Sequence, residues 1–163
     1  MNTMTPPTTR PRRYWLMKSE PGECSIDDAL AAKHATVPWT GVRNYQARNF
    51  MRDEMQAGDG VLFYHSSCPQ PGIAGIAEIA SATRPDPTQF DPDSPYFDPK
   101  ASHGKPRWLL RDVKALRKTR LLGLAELRAH PELAHLKVLQ RGNRLSITEV
   151  DEADWELILR LLA

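Results

Sequence analysis

The stretch DGVLFYHSSCPQPGIAGIAEIASATR, residues 59–84, indicates the fold class of this chain. Two runs rich in aliphatic and aromatic residues, DGVLFYHSS and GIAGIAEIASATR, flank a turn that contains prolines. Runs of this length between glycine and proline predict β-strands. Gly72 and Gly75 indicate a β-bulge or a close approach of another backbone, because glycine weakens the interior of an ordinary strand. We therefore expect two consecutive strands here.

Strand patterns also occur on either side of this stretch. RYWLMKSEP, residues 13–21, predicts a strand that Pro21 ends. RWLLRDVKALRKT, residues 107–119, predicts another, and NRLSITEV, residues 143–150, predicts a short one near the C-terminus. We expect these strands, about five in all, to curl into a small antiparallel β-barrel.

Helix signals lie between and after the strands. Ser25 with Asp28 forms a capping-box pattern at the start of SIDDALAAK. Asn44 is the expected cap of a helix that runs to about Gln56, and LGLAELRAH predicts a third helix. Asp151 is expected to cap a final amphipathic helix. The predicted fold class is therefore α+β, with helices covering the barrel.

The segment 84–107 is long for a loop within a compact domain. Loops of this length are usually functional or well packed. Because this one contains Phe90, Tyr96 and Phe97, we expect it to be held in place by aromatic side chains.

Length and composition predict one domain at residues 14–163, preceded by a flexible tail at residues 1–13. A net charge of +2 does not resemble that of a histone-like nucleic-acid binder. Cys24 and Cys68 are too few for a disulfide framework, so we expect reduced thiols in a cytoplasmic protein. No apolar run approaches the roughly 18 residues that cross a membrane, and we expect a monomer.

Motifs typical of enzymes are missing from the sequence. It contains no phosphate-binding glycine loop, no dinucleotide fingerprint and no nucleophile elbow. The five histidines show no convincing metal-ligand spacing. We therefore predict no catalytic residue, no metal and no cofactor.

WTGVRNYQARNF, residues 39–50, has residue types that suit a planar heteroaromatic ligand. Trp39 offers a stacking face, and Asn44 could pair with a base edge. Arg43 and Arg48 flank a helix start that favours anions. A structural interpretation stays open beside this one: Trp39 as a core residue, Asn44 as a helix cap, and both arginines paired with nearby acids.

Several longer words in the sequence resemble the EVE domain family. They are YWLMKSEP, WTGVRNYQARNFMR, GDGVLFYHS, GIAGIAEI, SPYFDPKA, RW and RLSITEV, in this order, and the similarity runs from about Tyr14 to Ala163. The resemblance implies a PUA-like fold related to the YTH and ASCH groups. It also implies a non-enzymatic module that recognises a modified base, in particular a modified cytosine in DNA, without metal or cofactor.

The resemblance also implies a site. In YTH relatives a Lys-Ser pair and a later tryptophan line the base pocket, and Lys18, Ser19 and Trp39 match them. Carried over in full, the expected base pocket comprises Lys18, Ser19, Trp39, Gly41, Val42, Arg43, Asn44, Tyr64, His65 and Ser66. The residues expected to meet the nucleic-acid backbone are Arg48, Lys100, Lys105 and Arg107.

Three other functions stay open. An ASCH-like hydrolase of acylated nucleosides would use Lys18 and Glu20, which are two residues apart on a strand and share a face. The module could bind RNA instead of DNA. The domain could also be an interaction module whose pocket is filled by its own side chains.

Overall fold

A computed structural model of the protein describes residues 10–163. Most of the expected tail therefore lies outside the described residues. Its last residues make contacts with the domain: the Arg10 guanidinium forms an ion pair of 2.8 Å with the buried Asp59 carboxylate, and Arg13 pairs with Glu54 at 2.7 Å. None of the helices formed by residues 10–163 has the length and apolar character needed to cross a bilayer.

The main sheet contains six strands in the order β2-β7-β4-β3-β1-β8. Its strands are β1 (Tyr14–Ser19), β2 (Thr36–Pro38), β3 (Gly60–His65), β4 (Gly72–Ile79), β7 (Asp112–Gly123) and β8 (Ile147–Val150). A separate two-stranded sheet pairs β5 (Arg84–Pro85) with β6 (Leu109–Leu110). A strand occurs at each predicted position, but the single strand predicted at residues 107–119 is divided into β6 and β7, which belong to different sheets. The short strands β2 and β5 were not predicted.

The expected antiparallel barrel is not what the described residues form. The sheet is open, with β2 and β8 as its edges, and β1 pairs with β3 in parallel. Both edge strands are short, and β2 ends at Pro38, which has no N–H to extend a ladder. The α+β class is confirmed, and barrel closure is the part of the prediction that needs correction.

Four α-helices pack on this sheet: α1 (Ile26–Ala31), α2 (Tyr45–Asn49), α3 (Leu124–Arg128) and α4 (Glu152–Leu161). The capping box of α1 and the Asn44 cap of α2 are present as predicted. A π-helical turn, Phe50–Glu54, extends α2. Asp151 precedes α4, but its side chain makes no capping hydrogen bond.

The side-chain alternation of β1 and β3 creates two hydrophobic cores. One core contains Trp15 and Phe63 and lies beneath α1 and α2. The other contains Leu16 and Tyr64 and lies beneath α3 and α4. Because neighbouring residues of a strand point to opposite faces, each core takes every second residue.

Both glycines singled out in β4 meet close neighbours, as predicted. A Cβ atom on Gly72 would lie 2.6 Å from the backbone oxygen of Leu122, and one on Gly75 would clash with the Ile26 side chain of α1. The pairing of β4 with β7 also shifts register between Ile73 and Gly75. Gly75 therefore allows α1 to pack directly on the sheet.

Candidate nucleic-acid interface

A cavity of about 490 Å³ opens where β1 ends, beside the segment 37–42. This volume falls within the range of small-ligand pockets, about 300–1,000 Å³. Its walls include the following residues expected from the sequence: Lys18, Ser19, Trp39, Gly41, Val42 and Ser66. The cavity is completed by residues that the sequence did not assign to the base pocket, among them Thr40, Glu23, Tyr96 and Arg144.

Trp39 follows the short edge strand β2 and is held firmly. Its backbone N–H donates to the Arg111 carbonyl at 3.0 Å. Its ring meets the Phe63 ring edge to face, with 5.3 Å between centroids, and only 7% of the residue is exposed. Trp39 therefore belongs to the core and also borders the cavity, which combines the two interpretations that the sequence left open.

Gly41 brings the chain close to Tyr96, and this approach requires glycine. Its φ is +83°, and a Cβ atom would lie 2.7 Å from the Tyr96 ring. Its N–H donates to the fully buried Asp86 carboxylate at 2.8 Å. The same carboxylate also accepts hydrogen bonds from Arg43 and from Thr88. Asp86 therefore anchors the loop that carries Trp39 and Gly41.

Arg43 holds the Tyr96 segment and does not line the cavity. Its five guanidinium N–H groups donate to the carbonyls of Tyr96 and Val42, to the Asp86 carboxylate and to the Thr88 hydroxyl. No donor is left for a base edge or a phosphate. Arg43 was expected in the base pocket, but apart from Val42 its partners lie 43 residues or more along the chain and hold its guanidinium outside the cavity lining.

Tyr96 forms a wall of the cavity directly beside Gly41. Its hydroxyl donates to the Glu23 carboxylate at 2.5 Å, and the Arg43 guanidinium lies 5.5 Å from its ring centroid. Burial and the Glu23 carboxylate raise the pKa of Tyr96 to about 12, so the hydroxyl stays protonated and keeps this bond. The sequence signals for Tyr96 were its position among the aromatics of the 84–107 loop and its place in SPYFDPKA, one of the words that resemble the EVE domain family.

The cavity contains cationic and polar groups as well as the two aromatics. Lys18 is half-buried, and burial lowers the pKa of its ammonium group. Within residues 10–163, neither Lys18 nor the exposed Arg144 has a carboxylate within ion-pair distance. The Ser19 hydroxyl donates to the Cys24 carbonyl at 2.6 Å, which fixes the cavity floor. Two cations therefore face the cavity without an internal partner.

Asn44, Tyr64 and His65 do not line the cavity. The Asn44 side chain accepts from the Ala47 N–H at the start of α2. Tyr64 points into the core beneath α3 and α4, because strand alternation turns it away from Phe63. His65 Nε2 accepts from the Ile26 N–H at 3.1 Å, and burial lowers the pKa of its imidazole. His65 therefore caps α1.

The four residues expected at the nucleic-acid backbone divide into two pairs. Arg48 donates to the Arg107 carbonyl and lies over the Tyr45 ring at 4.6 Å. Arg107 pairs with Asp98 at 3.3 Å and donates to the Tyr45 hydroxyl. Lys100 and Lys105 are exposed. The two lysines are therefore accessible, whereas the arginines serve internal contacts.

Comparison with known proteins agrees with this architecture. The model of the EVE domain matches residues 13–161. The chain belongs to the EVE domain family. Human (Homo sapiens) thymocyte nuclear protein 1 is 40% identical to this EVE domain over 166 residues, which cover 91% of this chain and 73% of that protein.

Solved structures share the fold of this EVE domain. A protein from Pseudomonas putida is 48% identical, with a TM-score of 0.87 and coverage of 92% of this chain and 99% of that one. Human THYN1 protein has been crystallised in complex with 5-methylcytosine containing DNA. That chain is 38% identical, with a TM-score of 0.86 and coverage of 91% of this chain and 96% of that one. An ASCH protein of Zymomonas mobilis shares the fold only, at 9% identity and a TM-score of 0.55.

Proposed function

We propose that this EVE domain is a non-enzymatic module that binds a modified cytosine of DNA in the Trp39 cavity. The observation that carries the proposal is the cavity itself. It combines aromatic walls, polar groups and two unpaired cations in a chain 38% identical to a protein crystallised with 5-methylcytosine containing DNA. A solvent-exposed groove without aromatic residues would instead favour a protein that contacts only the phosphate backbone of DNA.

The base would have to leave the DNA stack. A cavity bordered by a residue as buried as Trp39 cannot admit a base that remains inside a duplex. Unstacking costs a few kcal/mol, and stacking on an aromatic side chain returns about 1 to 3 kcal/mol. Trp39 and Tyr96 are the aromatic residues of the cavity that can supply this contact.

Polar groups would select the base, and cations would hold the strand. Thr40, Ser66 and Ser146 bring hydroxyl groups to the cavity, which can pair with a base edge. Lys18 lies deeper than Arg144, so we assign Lys18 to the base or its nearest phosphate and Arg144 to a phosphate at the rim. Exposed Lys100 and Lys105 remain the candidates for contacts farther along the strand.

A titration series tests this function. Labelled oligonucleotides of one sequence would carry cytosine, 5-methylcytosine or another modified cytosine, as DNA and as RNA. We expect the tightest binding to modified DNA. Trp39→Phe should retain most of the preference because it keeps a ring, and Trp39→Leu should lose it by about 1 to 3 kcal/mol. Circular dichroism would verify that both variants are folded.

Two results would contradict the proposal. Equal affinity for all oligonucleotides would remove base recognition, and stronger binding of RNA would favour the RNA-binding alternative. A preference retained in folded Trp39→Leu would show that the base binds elsewhere.

A hydrolase of acylated nucleosides is the second candidate, because Lys18 and Glu20 both line the cavity. Burial lowers the pKa of Lys18, and such a shift is common in catalytic lysines. Incubation with an acylated cytidine followed by chromatography separates the two functions. Release of the acid that is lost in Lys18→Ala would establish the hydrolase, and an unchanged substrate is the result that a binding module predicts.

A further inference from the structure

A second cavity, of about 280 Å³, lies between the segment 135–140, β8 and the start of α4. It shares no lining residue with the Trp39 cavity. Its walls hold one imidazole and several carboxylates, from His135, Glu149, Asp151 and Asp154. Nothing in the proposed binding of DNA uses these groups.

Three of these side chains converge on one point. The ligand atoms of His135, Asp151 and Asp154 all lie within 4.8 Å of one another. His135 Nε2 is 3.4 Å from an Asp151 carboxylate oxygen and 2.7 Å from Asp154 Oδ2. Ligands bound to one metal at about 2.1 Å in tetrahedral geometry are about 3.4 Å apart. A small outward movement of Asp154 would therefore produce a coordination set.

Asp154 Oδ2 is a buried oxygen without a donor. Among residues 10–163 it is the buried side-chain nitrogen or oxygen atom without an assigned hydrogen bond, and its near neighbour is His135 Nε2, at ion-pair distance (2.7 Å). Only 4% of Asp154 is exposed, and the carboxylate faces the cavity. A bound cation would supply the partner that this oxygen lacks.

Ordinary structural roles account for only part of this arrangement. Acidic residues are favoured at a helix N-terminus because of the helix dipole. Asp151 precedes α4, but its side chain makes no capping bond. An ion pair of the exposed His135 with the buried Asp154 would explain the proximity but would ordinarily include an aligned N–H donor. The helix dipole and the ion pair together leave Asp154 Oδ2 without an assigned hydrogen bond and do not explain why the Asp151 carboxylate also lies 3.4 Å from His135 Nε2.

We propose that His135, Asp151 and Asp154 bind a divalent transition-metal ion, with Zn²⁺ as the representative. One imidazole nitrogen with two carboxylate oxygens suits Zn²⁺ and its neighbours better than Mg²⁺ or Ca²⁺, which prefer oxygen ligands alone. The ion would join the segment around His135 to the first turn of α4. It would leave at least one position for water.

Titration calorimetry with ZnCl₂ on the untagged full chain tests the site. We expect one Zn²⁺ per chain, and His135→Gln and Asp151→Asn should each weaken binding by about 10-fold or more. His130→Gln is the matched control, because this histidine is near in sequence but not part of the cluster. It should leave the affinity unchanged. Titration with MgCl₂ should give much weaker binding, and bound Co²⁺ should show visible absorption bands.

The variants also distinguish this site from surface binding. His135 and Asp151 are exposed, so their substitutions should not affect folding, and melting curves would verify this. The wild type should melt at a higher temperature with Zn²⁺, whereas His135→Gln should not. Absence of saturable Zn²⁺ binding at millimolar concentration would overturn the proposal. Equal weakening by His130→Gln, or binding that persists in both cluster variants, would also overturn it.

Discussion

At the scale of single residues, Arg144 is the exposed cation at the rim of the Trp39 cavity. If it contacts a phosphate, Arg144→Ala should weaken the binding of methylated and unmethylated DNA by the same factor, about 3- to 10-fold. The slope of log K against log salt should change by about 1. Fluorescence anisotropy at several salt concentrations measures both quantities.

Arg141 provides the matched control for Arg144. It is also exposed and lies three residues earlier, but it does not line the cavity. Arg141→Ala should leave affinity and salt dependence nearly unchanged. A loss of methyl preference in Arg144→Ala would mean that this residue reads the base, contrary to the phosphate assignment.

Asp59 makes a residue-scale contribution to stability that depends on pH. Burial alone would raise its pKa, but hydrogen bonds from Arg10, the Trp15 indole and two backbone N–H groups lower it below the ordinary value. A carboxylate with a lowered folded pKa stabilises the fold above its unfolded pKa of about 3.9. This stabilisation disappears as the pH falls through the folded value.

Asp59→Asn should therefore lower the free energy of unfolding by about 3 kcal/mol at neutral pH. The difference from the wild type should shrink as the pH falls below about 4. Urea denaturation between acidic and neutral pH measures this. Asp53→Asn is the control, because the Asp53 pair with Arg52 is exposed and should contribute little. A loss that is independent of pH would contradict the ionic role of Asp59.

At the scale of elements, the loop after β2 is locked against the 84–107 segment. Gly41 and Gly58 both have positive φ, +83° and +95°, but only Gly41 has a neighbour where a Cβ atom would be, the Tyr96 ring. Substitution by alanine should cost about 1 to 2 kcal/mol at either position from backbone strain. Gly41→Ala should also displace Tyr96.

DNA binding therefore separates these two glycine variants. Gly41→Ala should weaken the binding of methylated DNA by about 10-fold or more, since it deforms a cavity wall. Gly58→Ala should bind like the wild type despite a similar loss of stability. Anisotropy titrations with thermal melts provide both measurements. Equal affinities for the two variants would show that the Gly41–Tyr96 contact does not shape the site.

The elements show which features could be predicted from sequence. Long apolar runs gave the central strands, and capping patterns at Ser25 and Asn44 gave two helix starts. β2 has only three residues, too few for a periodic signal. Barrel closure could not be judged, because it depends on whether the edge strands are long enough to pair with each other.

The site was predictable only where the resemblance to the EVE domain family and its relatives supplied the residues. Trp39, Lys18 and Ser19 were assigned by resemblance, and the cavity indeed touches all three. Tyr64 was expected in the pocket but lies in the core beneath α3 and α4. Side chains of β3 alternate between the two faces of the sheet, and the sequence does not show which face meets the cavity. Arg43 was expected in the pocket but binds Tyr96 and Asp86 instead. These partners come from a loop whose path cannot be predicted from the periodicity of the sequence.

At the scale of the whole molecule, charge limits the contribution of nonspecific binding. The net charge is only +2, and Arg48 and Arg107 serve internal contacts. We expect two to four phosphate contacts, so log K should fall with log salt at a slope of about −2 to −4. Anisotropy across a salt series measures the slope. A slope near about −8 would indicate an extended basic surface and contradict a cavity-centred interface.

The whole fold also separates the four tryptophans into different surroundings. Trp39 borders the cavity, whereas the indole N–H groups of Trp15 and Trp108 donate to Asp59 and Asp98. Trp155 lies in α4 and stacks on Tyr14 in the other core. A single spectrum of the indole N–H groups therefore reports on the cavity and on three internal references.

The most direct test of base binding in the Trp39 cavity is an NMR titration of ¹⁵N-labelled protein with 5-methylcytosine containing DNA. The indole resonances would be assigned with Trp39→Phe. We predict that the Trp39 resonance shifts markedly with methylated DNA and much less with the unmodified sequence, while those of Trp15, Trp108 and Trp155 remain nearly fixed. Saturable binding of methylated DNA with an unchanged Trp39 resonance would contradict the assignment of the base to this cavity.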